Sequence, residues 1–196
     1  KQGYAFARAA AARGAAVTLI AANVDLAAPA GVDVVRVGTT EELRVATLAA
    51  ADGADVVVMA AAPADFRPAT YADQKIKKPA DGSAPVIELT VNPDIAAQVG
   101  ARKPAGQVLV AFAAETAGPD DARANARDKL VRKGADLIVL NDVSGDRAFG
   151  ADRNAAVVLG PEGEVATVER MAKNDLADVV LDLTVRVLAD ARARPR

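Results

Sequence analysis

The sequence predicts an α/β protein: a Rossmann-like, doubly wound, mostly parallel sheet with a flexible lysine-rich flap. Three observations predict it. Segments with the period of strands and segments with the period of helices succeed one another along the 196 residues, the pattern of repeated strand–helix units. Several strand segments are continuous apolar runs, as strands covered on both faces require. One long segment, 61–84, has neither period and gathers Lys75, Lys77 and Lys78 within four positions.

Taken in order, "GYAFARAAAARG" reads as a helix over 4–13 ended by Gly14. "AAVTLIA" (15–21) and "VDVVRVG" (32–38) are strands rich in β-branched residues. "TTEELRVATLAAADG" (39–53) opens with the Thr39–Glu42 spacing of a capping box and closes on Gly53. "ADVVVMAA" (54–61) is a buried parallel strand, and the loop 61–84 leaves its carboxyl end. A short strand follows at "PVIELT" (85–90). A short helix comes next, with Asn92 as N-cap, Pro93 at the first helical position and Asp94 in the first turn. "QVLVAFA" (107–113) is a strand, 120–133 a helix capped by Gly134, and "DLIVLN" (136–141) another strand. "AAVVLGPEGEVATVER" (155–170) forms a hairpin turned at Pro161–Gly163, and a helix over 175–191 completes a single domain spanning 1–196.

Composition narrows the chemistry. The apolar fraction of 52% is mostly Ala and Val, in runs well short of the roughly 20 residues that span a bilayer. The expectation is a cytoplasmic protein without membrane contact. A net charge of −2 points away from a broad nucleic-acid surface, so anion binding must be local. The chain has neither Cys nor His. That excludes disulfides, thiolate or imidazole metal sites, a Cys nucleophile and a Ser-His-Asp triad. Lys, Arg, Asp, Glu, Asn and backbone dipoles remain, which suit charge stabilisation on phosphates with Mg²⁺.

In open α/β sheets ligands lie beyond the carboxyl ends of the strands. There the sequence places small residues at Ala60 and Ala61 with Asp65 after them, then Asn92 to Ile95 at a helix start. Phe112 and Glu115 follow, then Lys129 and Lys133 on one helix face, and Asn141 with Asp142. Each alone has a bland reading as solvated loop, ordinary cap or charged stripe.

Together, "ADFRPATYADQKIKK", "VNPDIAAQVG", "AFAAET" and "KLVRKGADLIVLNDVS", in this order and spacing, resemble bacterial phosphopantothenoylcysteine synthetase over almost the whole chain. The start "KQGYAFARAAAARG" is similar to the end of that family's glycine loop. The first strand, most of that loop, and an Asn implicated in the second half-reaction are therefore expected before Lys1. The resemblance implies that CTP and Mg²⁺ convert the carboxylate of 4′-phosphopantothenate into an acyl-cytidylate, which the amine of L-cysteine attacks to release CMP. It implies Lys75 as the catalytic charge stabiliser, with Lys77 and Lys78 holding the flap or the substrate phosphate. It assigns Met59, Ala60, Ala61, Asp65, Lys75, Asn92, Pro93, Asp94, Ile95, Phe112, Lys129 and Lys133 to CTP, and Asp65 also to the metal. Within that set the Asn92 helix start is a donor array, and Phe112 with Lys129 meets cytosine and phosphate. A homodimer is implied, and a larger assembly where the domain is fused to a decarboxylase half. FMN belongs to that half, which is absent here.

Two other classes fit the pattern less well. An NAD(P)-dependent oxidoreductase wants an acid after its second strand, where this chain has Ala21–Ala22–Asn23. A non-catalytic nucleotide-binding or assembly module is the other rival, which pyrophosphate release with CTP, phosphopantothenate and cysteine would dispose of.

Overall fold

The computed structural model describes residues 1–78, 80, 82–115, 118–142 and 153–193. The elements are α1 (Gln2–Ala12), β1 (Val17–Ala22), β2 (Val32–Val37), α2 (Thr40–Ala51), β3 (Val56–Met59), β4 (Phe66–Pro68) and β5 (Leu89–Val91). They continue with α3 (Ile95–Arg102), β6 (Val108–Glu115), α4 (Pro119–Lys133), β7 (Leu137–Asp142), β8 (Arg153–Gly160), β9 (Gly163–Ala172) and α5 (Lys173–Ala193). The capping box forms at α2: Thr39 Oγ1 accepts from the Glu42 N–H at 3.1 Å, and Glu42 Oε2 accepts from the Gly38 and Thr39 N–H groups at 2.7 and 3.0 Å. Gly134 closes α4 at φ 56°, a left-handed conformation that costs glycine little.

The main sheet has the order β3-β6-β7-β8-β9. β3, β6 and β7 run parallel, whereas β8 and β9 form the hairpin on the far edge. β1 and β2 form a separate parallel pair. That pair belongs to the same layer, because Ile20, Ala22 and Val37 pack into the cluster that contains Met59 and Val57. The strand segments are apolar on both faces because both faces are covered. One face lies under α2, α3 and α4, with Leu43, Ile95, Val99 and Leu130 against Leu109, Ala111 and Ile138. The other lies under α1 and α5, with Phe6, Leu176 and Val180 against Val110, Leu137 and Val139. Ile95, Leu109, Leu137 and Ile138 are fully buried, each contributing about 1.5–3 kcal/mol of transfer free energy.

Two departures from the sequence reading matter for the site. The strand expected at 85–90 is confined to Leu89–Val91, and its antiparallel partner is Phe66–Pro68, which has no strand signal of its own. The segment between them is therefore a projecting arm on a two-stranded stem. The short helix also begins later than expected. Asp94 is its N-cap, its side chain accepting from the Ala97 N–H at 3.1 Å, so Asn92 is not the cap and Pro93 not the first helical residue. Among the described residues no helix is long and apolar enough to cross a membrane.

Candidate functional site

β3 ends in buried Met59, and the chain continues through Ala60 into exposed Ala61. A Cβ built on Gly3 of α1 would meet the Ala60 Cβ at 3.8 Å, so α1 seats directly on this strand end. Small residues here keep the backbone close to whatever lies above the sheet. Asp65 is exposed at the same edge, and its carbonyl accepts from the Asn92 N–H at 2.7 Å.

The reason Asn92 does not cap α3 is that its amide braces the arm. Its Nδ2 donates to the Ala64 carbonyl at 2.9 Å, and its Oδ1 accepts from Arg67 Nη1 at 2.9 Å. Arg67 Nη1 also donates to the Val91 carbonyl at 3.1 Å. The Asn92 side chain thus has partners on both sides within the protein. A cavity of about 370 Å³ opens beside it, lined by Thr39, Thr40, Glu41, Arg67 and Asn92. Arg67 was not among the sequence-predicted contacts, because an arginine beside three lysines reads as one more solvated cation. Its signal is geometric and appears only once β4 pairs with β5.

Asp94 has a second task. Lys133 Nζ donates to both of its oxygens, at 2.8 and 2.7 Å, across 39 positions of sequence. Burial alone would raise the Asp94 pKa. The hydrogen bonds from Lys133 and Ala97 and the nearby cationic charge outweigh it and hold the carboxyl below its ordinary value. The helices behind this pair nearly touch: a Cβ on Gly100 would fall 1.8 Å from the Lys133 carbonyl oxygen. Glycine at 100 is therefore what lets α3 and α4 approach, and the stem of Lys133 reaches from there to the amino end of α3. Lys129 is half-buried one turn earlier in α4.

Phe112 is not on this side. It alternates with Leu109, Ala111 and Ala113, and its ring meets Phe6 of α1 edge-on at 5.6 Å between centroids. Strand alternation sends the ring to the α1–α5 face, whereas Lys129 is carried by α4 on the other face of the sheet. The side chains of Glu115 and Asp142 lie outside the described residues.

Lys75, Lys77 and Lys78 sit on the arm and are all exposed. The arm closes above β4 and β5 with the Ala69 N–H donating to the Glu88 carbonyl at 2.9 Å. Tyr71 and Val86, just beyond this bond, are 87% and 91% exposed, so these two apolar side chains do not anchor the arm. For a metal, no group of three or more acidic side chains gathers among the described residues. Asp65 would act as a single carboxylate, which fits Mg²⁺ held chiefly through ligand phosphates and water.

The chain has relatives among known proteins. Residues 1–188 match the family described as the DNA/pantothenate metabolism flavoprotein C-terminal domain. The coenzyme A biosynthesis bifunctional protein CoaBC of Mycobacterium tuberculosis is 46% identical over 196 residues, covering 96% of this chain and 47% of that protein. The chain thus spans about half the length of the curated relatives it matches. A crystal structure of the C-terminal domain of CoaBC superposes with a TM-score of 0.77 at 30% identity, covering 96% of this chain and 83% of the other. A mutant Cab2 in complex with phosphopantothenate-cysteine gives a TM-score of 0.77 at 13% identity, over 98% of this chain and 79% of the other, a likeness of fold. On the match over residues 1–188, the chain belongs to the DNA/pantothenate metabolism flavoprotein C-terminal domain family.

Proposed function

We propose that this chain is a phosphopantothenate–cysteine ligase domain that uses CTP. It joins 4′-phosphopantothenate to L-cysteine through an acyl-cytidylate and releases pyrophosphate and CMP. The observation that carries the reading is the Asp94–Lys133 pair, which sets an ammonium at the amino end of α3 beside the strand ends where Met59 to Ala61 and Asp65 emerge. Three things support it: family membership, the relatives named for coenzyme A synthesis, and a catalytic vocabulary without His or Cys.

The substrate carboxylate is already a nucleophile at neutral pH, so the protein's work is positioning and charge stabilisation. Lys129 and Lys133 hold the nucleotide phosphates, and Ala60 and Ala61 admit the ligand close to the backbone. Phe112 serves through its main chain, since its ring is turned to the other face. Asp65 would hold Mg²⁺ together with the nucleotide phosphates, and the ion would supply further charge neutralisation there. Lys75 enters when the arm closes and stabilises charge that develops in the transition state. The arm's exposed Phe66, Leu89 and Val91 are the surface a second copy covers in a homodimer.

The test is a thermal-shift panel of CTP, ATP, GTP, UTP and NADPH with Mg²⁺, followed by pyrophosphate release with CTP, phosphopantothenate and cysteine. Selective stabilisation by CTP is the expected result, since a ligand that binds only the native state raises its stability. Stabilisation by NADPH instead would turn the reading toward an oxidoreductase, and binding without pyrophosphate release toward a non-catalytic module.

A further inference from the structure

We propose that Arg67 is a positioning residue for Lys75: by clamping the base of the β4–β5 arm through Asn92, it holds the stem at a fixed angle to the body and confines closure to residues 70–87. The proposal rests on the ligase reading and adds which part of the arm moves and which stays in place.

The base of the arm is bonded more densely than its short ladder requires. That ladder is Phe66 with Val91, Arg67 with Thr90 and Pro68 with Leu89. A two-stranded ribbon is marginal without burial, and within one chain Phe66, Leu89 and Val91 are 56%, 60% and 67% exposed. What fixes its direction is the network beneath it. The Asn92 N–H donates to the Asp65 carbonyl at 2.7 Å and its Nδ2 to the Ala64 carbonyl at 2.9 Å, which ties the returning leg to the outgoing one. Arg67 Nη1 closes the loop by donating to Asn92 Oδ1 at 2.9 Å and to the Val91 carbonyl at 3.1 Å. Two positions after Asn92, Asp94 caps α3 and accepts from Lys133, with the fixed φ of Pro93 between them. The clamp is therefore seated on the body through α3. Glu41 of α2, gripped by Arg44, lines the same cavity as Arg67 and presents a negative charge of the body to the guanidinium.

Above the clamp the bonding stops. The Ala69 N–H donates to the Glu88 carbonyl at 2.9 Å, and no further backbone bond joins the two legs among the described residues. Tyr71, Ile76 and Ile87 are exposed, so little burial opposes motion of 70–87. Lys75 stands six positions beyond Ala69, and six residues of chain reach at most about 20 Å. The volume that Lys75 searches is thus centred on the end of the stem. A stem free to tilt would enlarge that volume. A clamped stem restricts it, so less conformational freedom is lost when the lysine meets developing charge.

The experiment compares amide hydrogen exchange and kinetics in the unaltered chain, Arg67→Met and Arg67→Lys. In the unaltered chain the amides of 65–69 and 88–91 should exchange more slowly than those of 70–87, and CTP with Mg²⁺ should slow the latter while leaving the stem unchanged. In Arg67→Met, exchange of the stem should quicken at least about tenfold, the scale of losing hydrogen bonds from a charged group. The pyrophosphate burst at saturating substrates should fall about tenfold, because a small misplacement of a charge-stabilising group is costly, with KM for CTP and for 4′-phosphopantothenate kept within about twofold. Arg67→Lys still offers a donor to the same oxygens and should recover part of both losses. An unchanged burst in Arg67→Met overturns the proposal. So does a rise in KM for the acid with the burst retained, which would make Arg67 a substrate contact. Slowing of the stem by CTP as strongly as 70–87 would put the hinge at the base and overturn it as well. If Arg67→Met does not fold, a burst at the unaltered rate in Arg67→Lys overturns it instead. Failure of the ligase reading shows separately, as absence of any burst in the unaltered chain, while the exchange contrast between stem and tip is still read.

Discussion

Lys75 and Lys133 are both read as phosphate-binding cations, and their surroundings are opposite. Lys133 is fixed before any ligand arrives: its backbone lies against Gly100, and its ammonium is gripped by both oxygens of Asp94. Lys75 stands on an exposed arm whose stem is three residues per strand. The difference concerns when each contact forms. A preordered lysine contributes to ground-state binding at little entropic cost. A lysine ordered by closure contributes only after the arm's conformational freedom is given up, and suits charge that appears in the transition state.

The largest expected effect breaks the comparison at its exposed end. Lys75→Gln keeps the reach of the side chain but removes its charge. Acyl-cytidylate formation should then fall a hundredfold or more, about 3 kcal/mol, the scale of one preorganised electrostatic contact. Because Lys75 is exposed, the melting temperature should not move. A near-normal pyrophosphate burst would remove the role, and a lower melting temperature would show that the arm is more built than it looks.

Closure itself is tested by protease. In the free protein, cutting should concentrate between Arg67 and Lys78, where little apolar burial opposes local opening. With Mg²⁺ and CTP at about ten times its Kd, cutting should slow about tenfold, the population shift such a ligand can impose. Equal rates in both states would make the arm a fixed projection, and the contrast with Lys133 would then be one of position alone.

The sequence carried this contrast unevenly. The alternation of elements, the Thr39–Glu42 capping box, the αL cap at Gly134 and the hairpin at 153–172 are local patterns, legible because the residues that make them are neighbours. The arm's stem was not legible: Phe66–Pro68 and Leu89–Val91 find each other across some twenty residues with no turn chemistry to announce it. Asn92 and Asp94 are both good caps, and tertiary demand decided between them, since Arg67 and Ala64 use the Asn92 side chain. Strand parity set Phe112 apart from Leu109 and Ala111, but which face would carry α4 depended on the topology. Met59 to Ala61 and Asp65 follow one another at the end of β3, a local arrangement, whereas the reach of Lys133 to the start of α3 spans 39 positions and has no local signal.

A smaller effect probes the buried end. In Gly100→Ala the added methyl cannot fit without moving α3 from the Lys133 carbonyl, and overpacking of this kind costs about 1–3 kcal/mol. The melting temperature should drop and CTP affinity should weaken with it, because the displaced helix carries Asp94 away from Lys133. Loss of stability with unchanged CTP binding would mean that the pair does not position Lys133 for the nucleotide.

The smallest effect isolates the pair itself. Asp94→Asn still accepts from the Ala97 N–H and so keeps the cap, but it gives up the charge that holds Lys133. The pair is partly exposed, with side chains 15% and 40% accessible, so after screening the loss at neutral pH should be below about 1 kcal/mol. Its pH dependence identifies the source. The folded-state pKa of Asp94 is lowered, so its contribution is fully present above the unfolded value of about 3.9 and fades as pH falls through the folded one. Denaturant unfolding of the two proteins should therefore differ by a constant amount between about pH 7 and pH 5 and converge below about pH 4. High salt should shrink the difference at neutral pH, because exposed charges are screened within a few ångströms at molar ionic strength. A difference that survives both acid and salt would belong to helix capping or packing, and Lys133 would then be held by its stem along α3 rather than by the carboxylate.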